Sequence, residues 1–263
     1  MGLKQYIFGF LSLIVLVVLI ILVSIFFQYQ WIVDVLSSMN PKALVHFDRN
    51  CKTKAVALTI DDSTTMATQY ILDILKRTES TATFFMCGEN VNLVFNYHGE
   101  FPEKHQLILK YGNDIGNHMF TQDASFVLSK EDFEKDFLRT HDLLKNHYFQ
   151  NNVRKWFRPS GLIPTNMMYE VIEKYNYTMV LGNMHSFDHQ IRNTQYNLNQ
   201  ILGRIKSGDI IIAHDLLENV DFIEKMIVYL KKNNFKVVSL SDMTTICPSS
   251  VLKKLERNEM KKK

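Results

Sequence analysis

Net charge is scarce in this sequence. The formal value is +3 over 263 residues, and Lys253, Lys254, Arg257, Lys261, Lys262 and Lys263 crowd the end of the chain against Glu256 and Glu259. The rest is close to neutral, so there is no electrostatic case for nucleic acid. The basic stretch 250–263 reads as a solvated, frayed tail. Cysteine is scarce too. Cys51, Cys87 and Cys247 form neither a C-x-x-C spacing nor a zinc-ribbon pattern. Cys87 lies in an apolar run and reads as a small core residue. Cys51 and Cys247 flank the candidate domain, where a disulfide would need an oxidising compartment and a geometry that sequence does not fix. Internal repeats and low-complexity segments are absent, and 46% hydrophobic with 22% charged residues excludes disorder as the default.

What stands out is an uncharged run from 6 to 27, rich in Leu, Ile, Val and Phe. A helix of that length spans roughly 33 Å, enough for a bilayer core. The run ends without the small-x-small site of a cleaved signal peptide, and Tyr29 and Trp31 suit a membrane interface. Lys4 precedes the run and no Lys or Arg follows it before Pro41, so the positive-inside rule predicts a cytoplasmic N-terminus and an exported domain. The opening residues lack the Ser or Thr of a myristoylation signal. Asn176-Tyr177-Thr178 is a glycosylation sequon, usable only in an exported domain. The expected organisation is a stub and signal anchor over 1–32, a linker over 33–50, the main domain over 51–249 and the basic tail.

Within the main domain, strand-like runs at 55–60, 82–87, 156–158, 179–181, 209–213 and 236–239 alternate with helical spacing at 68–76, 104–111, 130–146, 166–175, 198–207 and 220–233. This alternation predicts parallel strands with helices outside, as an open sheet or a barrel. Functional residues in such folds gather where strands end. Asp61-Asp62, Arg158 and His214-Asp215 all fall there. Two adjacent carboxylates repel unless a cation neutralises them, although the Asp-Asp-Ser-Thr-Thr run also suits a turn and helix cap. His118 follows the turn-rich approach 112–117, and His214 ends an apolar strand, which places a titratable ring at a rim.

Together these pieces resemble the polysaccharide deacetylase family, whose members remove acetyl groups from sugars such as N-acetylglucosamine. The carriers are Thr59-Ile60-Asp61-Asp62, Ala82-Thr83-Phe84-Phe85, His118, Trp156-Phe157-Arg158-Pro159-Ser160-Gly161, the 180–190 segment with Asp188, and Ile212-Ala213-His214-Asp215. The resemblance implies an α/β fold, a distorted (β/α) barrel with fewer than eight regular strands. It also implies metal-assisted amide hydrolysis, in which Asp62 and His118 hold a divalent ion, zinc foremost with cobalt or manganese as alternatives. By the same resemblance Asp61 is the base, Arg158 its orienter, His214 the acid and Asp188 the carboxylate that keeps His214 charged. Ser160, Gly161, Leu162 and Ile212 are the implied substrate contacts, and the implied partners are an N-acetylated, chitin-like glycan and the membrane.

The chain departs from the family pattern at the metal. Gln122 stands where a second ligand histidine is expected, with Asp123 one residue further on. A carboxamide is the weaker zinc ligand, and a site completed by Asp123 would be more oxygen-rich, favouring manganese. Ser63 replaces a glycine, and the loop after Arg158 is one residue short. A catalytically impaired, membrane-anchored carbohydrate-binding relative is therefore the alternative expectation.

Overall fold

The computed structural model describes residues 3–26, 30–98, 101–147 and 154–260. The chain divides into two compact units, Met1–Met39 and Asn40–Lys263. The first holds helices α1 (Leu3–Phe26) and α2 (Gln30–Met39). Helix α1 is long and apolar enough to cross a membrane, and its side chains from Tyr6 to Val23 are exposed. Trp31 lies in α2, whereas Tyr29 falls outside the described residues.

The second unit carries β1 (Ala55–Ser63), β2 (Thr83–Met86), β3 (Asp114–Asn117), β4 (Lys155–Phe157), β5 (Tyr177–Met179), β6 (Met184–His185), β7 (Ile210–His214) and β8 (Lys236–Val238). Its helices are α3 (Thr68–Arg77), α4 (Gly88–His98), α5 (Phe101–Lys110), α6 (Lys130–His147), α7 (Asn166–Lys174), α8 (Thr194–Leu202), α9 (Val220–Lys232), α10 (Leu240–Ile246) and α11 (Ser250–Met260). The strands form one parallel sheet ordered β5-β4-β3-β2-β1-β7-β6, with β8 also paired to β1. It is a curled half-barrel of eight strands among the described residues, the shortest being the two residues of β6.

Strand β1 shows why the sheet curls around a site. Val56, Leu58 and Ile60 join the core against α3 and α9, where Ile71, Leu75, Ile223 and Ile227 are also buried. Ala55, Ala57, Thr59 and Asp61 take the opposite face, inside the curl, beside Phe85, Trp156 and Ile210. Truncating a buried residue such as Leu58 to Ala would cost about 2–5 kcal/mol. The inner face thus grades from small apolar residues at the N-terminal end of β1 to polar ones at its C-terminal end.

Three stretches carry more structure than the sequence announced, and one helix was not announced at all. Within the expected linker over 33–50, α2 runs to Met39, and Ala43, Leu44, Val45 and Phe47 are buried. Leu44 bonds to Met179 and Leu181, and Phe47 N–H donates to Gly208 O at 2.8 Å, so this strap lies along the end of β5 and reaches the turn before β7. A Cβ at Gly208 would sit 2.7 Å from Asp48 O, which only glycine avoids. Residues 112–117 are more than a turn: β3 occupies Asp114–Asn117, and Gly116 is glycine because a Cβ would meet the Phe85 ring at 2.7 Å. The tail is not frayed from Ser250, since α11 buries Leu252 in the inner core with Leu255 packed against it. Helix α4, of mixed polarity, had no periodic signal to announce it.

The sequon residue Asn176 is exposed on the turn between α7 and β5, with φ 59°.

Candidate active site

The parallel register brings the candidate residues to one end of the sheet. Asp61 pairs with His214 across β1 and β7. His118 follows β3 directly, and Arg158 follows β4 with its N–H donating to Asn117 O at 3.0 Å. All stand at C-terminal strand ends. Backbone strain collects around them: Asp62, Met119, Leu162 and Phe187 have φ of 59°, 66°, 58° and 61°. Such left-handed conformations cost about 1–3 kcal/mol each in non-glycine residues and persist where surrounding structure holds them.

Arg158 is completely buried and threads the inner face. Its Nη1 donates to Asp61 Oδ1 at 2.6 Å and to Thr59 Oγ1 at 2.7 Å, and its guanidinium lies 4.3 Å from the centre of the Phe85 ring. The small side chains of β1 leave room for it. Its Nη2 is buried without a hydrogen-bond partner among the described residues. Burial alone would raise the Asp61 pKa, but Arg158, His118 and His214 outweigh it and hold the carboxyl below its ordinary value.

Asp188 holds His214 in place. Its Oδ1 accepts from Ser186 Oγ at 2.6 Å and lies 2.8 Å from His214 Nδ1. Its Oδ2 accepts from His214 N–H at 2.7 Å and from Asn219 Nδ2 at 2.8 Å. Burial pulls the His214 pKa down, but the Asp188 bond and the charges of Asp188, Asp61 and Asp62 carry it up to about 9. The Nδ1–Asp188 bond leaves Nε2 as the reactive nitrogen. The neighbouring Asp215 has a different duty. It accepts from Thr65 and Thr68 Oγ1 at 2.9 and 2.6 Å, which ties β7 to the start of α3, and burial raises its pKa to about 6.

On the metal side, His118 Nδ1 lies 2.8 Å from Arg158 O, which directs Nε2 toward Asp62 Oδ1 at 3.6 Å and Asp61 Oδ2 at 3.9 Å. A backbone carbonyl on one ring nitrogen fixes the tautomer and leaves the other nitrogen free to bind a metal. Asp62 and His118 therefore fit a divalent ion. The third position does not: Gln122 and Asp123 are exposed, and among the described residues no three His, Cys, Asp or Glu side chains gather in a group able to hold a metal. The expected completion by Asp123 is not assembled.

The expected substrate contacts separate as well. Gly161 is exposed and Leu162 half-buried on a turn closed by Leu162 N–H to Pro159 O at 3.1 Å. Ser160 is buried, and its hydroxyl bonds the carbonyls of His118 and Thr121, which braces the loop. Ile212 is 2% exposed and lies beneath Gly182, where a Cβ would come within 3.0 Å of it.

Sequence reasoning missed His185, Ser186 and Asn219. His185 faces His214 with ring centroids 6.0 Å apart, and its Nδ1 accepts from Phe187 N–H at 2.9 Å. Burial and the His214 charge lower its pKa to about 4, so this imidazole is neutral beside a charged one. Its place in the 180–190 motif was the only available signal.

Comparison with known proteins bears on this geometry. The family model described as polysaccharide deacetylase matches residues 48–180. A peptidoglycan-N-acetylglucosamine deacetylase of Bacillus cereus is 27% identical over 214 residues, spanning 78% of this chain and 95% of that protein. A bifunctional xylanase/deacetylase of Pseudobutyrivibrio xylanivorans is 28% identical over 193 residues, spanning 72% of this chain but only 30% of that protein. Among solved structures, the peptidoglycan deacetylase PdaC of Bacillus subtilis superposes with a TM-score of 0.65 at 25% identity, covering 82% of this chain and 98% of that one. BA3943, a CE4 family pseudoenzyme from Bacillus anthracis, shares the fold with a TM-score of 0.65 at 21% identity, covering 77% of this chain and 68% of that one.

Proposed function

This chain belongs to the polysaccharide deacetylase family, and from that premise we propose that it hydrolyses acetyl groups from an N-acetylated, amino-sugar glycan. What supports the reading is one observation: two titratable groups across the site are pushed apart, Asp61 below its ordinary pKa and His214 up to about 9. Neutral solution then holds an ionised base facing a protonated acid, the assignment that amide hydrolysis requires.

Asp61 takes a proton from the water that attacks the acetyl carbonyl, with Arg158 holding the carboxylate in place. His214 gives its Nε2 proton to the departing sugar nitrogen, and Asp188 stabilises the imidazolium until it does. The products are acetate and a free amino sugar. Asp62 and His118 would hold a divalent ion, zinc, cobalt or manganese, with Gln122 or Asp123 as a third donor after movement of their loop. When bound, such an ion supplies Lewis acidity that polarises the carbonyl and acidifies water. The turn bearing Gly161 and Leu162 would meet the sugar. Helix α1 would serve as a signal anchor, leaving the domain lumenal or extracellular.

A second reading has its own support. Because no three-ligand group is assembled among the described residues, the chain could bind a glycan with little or no turnover. One experiment separates the two. Metal-stripped full-length protein in detergent is assayed for acetate release from N-acetylglucosamine oligomers and from peptidoglycan strands, with zinc, cobalt and manganese restored in turn. Metal-dependent acetate supports the hydrolase and names its ion and glycan. Glycan binding without acetate under every metal supports the binding protein.

A further inference from the structure

Cys51 and Cys247 are far apart in sequence and adjacent in the fold. Cys51 follows the strap that leads into β1, and Cys247 ends α10. Their hydrogen bonds cross over: Cys51 Sγ donates to Ile246 O at 3.4 Å, and Cys247 Sγ donates to Asp48 O at 2.8 Å. Each thiol thus reaches the backbone beside the other. Cys247 is buried in the inner core and Cys51 packs against that same cluster from a half-buried position. All three cysteines of the chain are free thiols here, and Cys87 sits elsewhere, completely buried with its thiol on Phe120 O at 3.2 Å.

We propose that Cys51 and Cys247 are a disulfide site, a covalent clasp between the strap entering β1 and the end of α10. The co-reactant is a small-molecule disulfide such as glutathione disulfide, which is reduced to two thiols. The Cys51 thiolate attacks one sulfur of that reagent, releasing one thiol and forming a mixed disulfide. Cys247 then loses its proton and attacks the Cys51 sulfur, releasing the second thiol. Two protons and two electrons leave the protein, and one S–S bond forms as the reagent's bond breaks. Half-buried Cys51 is the accessible first nucleophile. Burial, and then the neighbouring Cys51, push the Cys247 thiol up to about 12, so Cys247 is not the first nucleophile.

The clasp closes a loop that contains every strand of the sheet, and it stands independently of the deacetylase reading. The test uses the full chain in detergent, incubated with glutathione disulfide, alkylated without reductant and digested for mass spectrometry. The expected result is a Cys51–Cys247 linked peptide that reductant abolishes, with Cys87 alkylated alone. Thermal melting gives a second readout. Reductant should lower the Tm of the oxidised wild type by roughly 5–10 °C and leave Cys51→Ser and Cys247→Ala unmoved. Alkylation of all three cysteines after oxidation, a bridge involving Cys87, or an equal reductant response in the variants would overturn the proposal.

Discussion

The two halves of the candidate site are built to different standards. On the proton-transfer side, Asp61 is locked to Arg158, and Asp188 spends both oxygens on His214, Ser186 and Asn219. On the metal side, His118 is oriented toward Asp62, yet the loop that should complete the set leaves Gln122 and Asp123 exposed. The difference is energetic before it is functional. A buried Arg–Asp pair stripped of one partner costs about 3–5 kcal/mol, so the first half is held by folding itself. An exposed loop residue carries no such penalty and can drift. The Asp61–Arg158 and Asp188–His214 pairs are therefore the part of the candidate site that stability preserves, and the loop bearing Gln122 and Asp123 is the part that it leaves free to change.

The contrast can be broken most sharply at the base. Asp61→Asn keeps the shape and removes the proton acceptor, and acetate release should fall by about 10²–10⁴-fold. A variant within tenfold of wild type would mean that the well-built half is not the catalytic one. Gln122→His probes the other half. Restoring an imidazole should tighten zinc binding by at least about tenfold, read by competition with a chromophoric chelator. Unchanged affinity would show that the loop, not the residue, withholds the third ligand.

Asn219→Ala gives a finer test. It removes one of the bonds that orient Asp188, and the alkaline limb of the pH–rate profile should move down by about half a unit to one unit, with little change in KM. A change in KM alone would assign Asn219 to substrate instead.

The smallest effect is on stability against pH. The His214 pKa is raised to about 9 in the folded protein, so its contribution is complete below the unfolded value near 6.5 and is lost as pH rises through about 9. The Asp61 pKa is depressed, so its contribution is present above the unfolded value near 3.8 and is lost as pH falls through the folded one. Urea midpoints should therefore decline at both ends of the range, and His214→Gln should remove the alkaline decline.

Much of this was legible in sequence because it is local. The apolar run before Asp61-Asp62 and the one before His214 announce strands whose ends carry polar residues, and parallel pairing does the rest. The pieces that sequence hid depend on distant contacts. Asn219 reaches back thirty-one positions to Asp188 with no periodic signal. Gly116 looked like a turn residue and is instead a clearance for Phe85. The strap at 43–47 looked like a linker because its burial depends on β5 and on the turn before β7, neither of which is nearby in sequence. Ile212 and Ser160 are buried, which a motif cannot reveal.

The central claim is that the acid–base pair is poised in opposite protonation states by its own surroundings. The most direct test is an NMR titration of the His214 imidazole in the metal-free protein, assigned by its disappearance in His214→Gln. The account predicts that the ring stays protonated through neutrality and titrates near pH 9, with the proton on Nδ1 held by Asp188. Titration at or below the ordinary value near 6.5 would contradict it, because Asp188 would then not be holding the acid in its charged form.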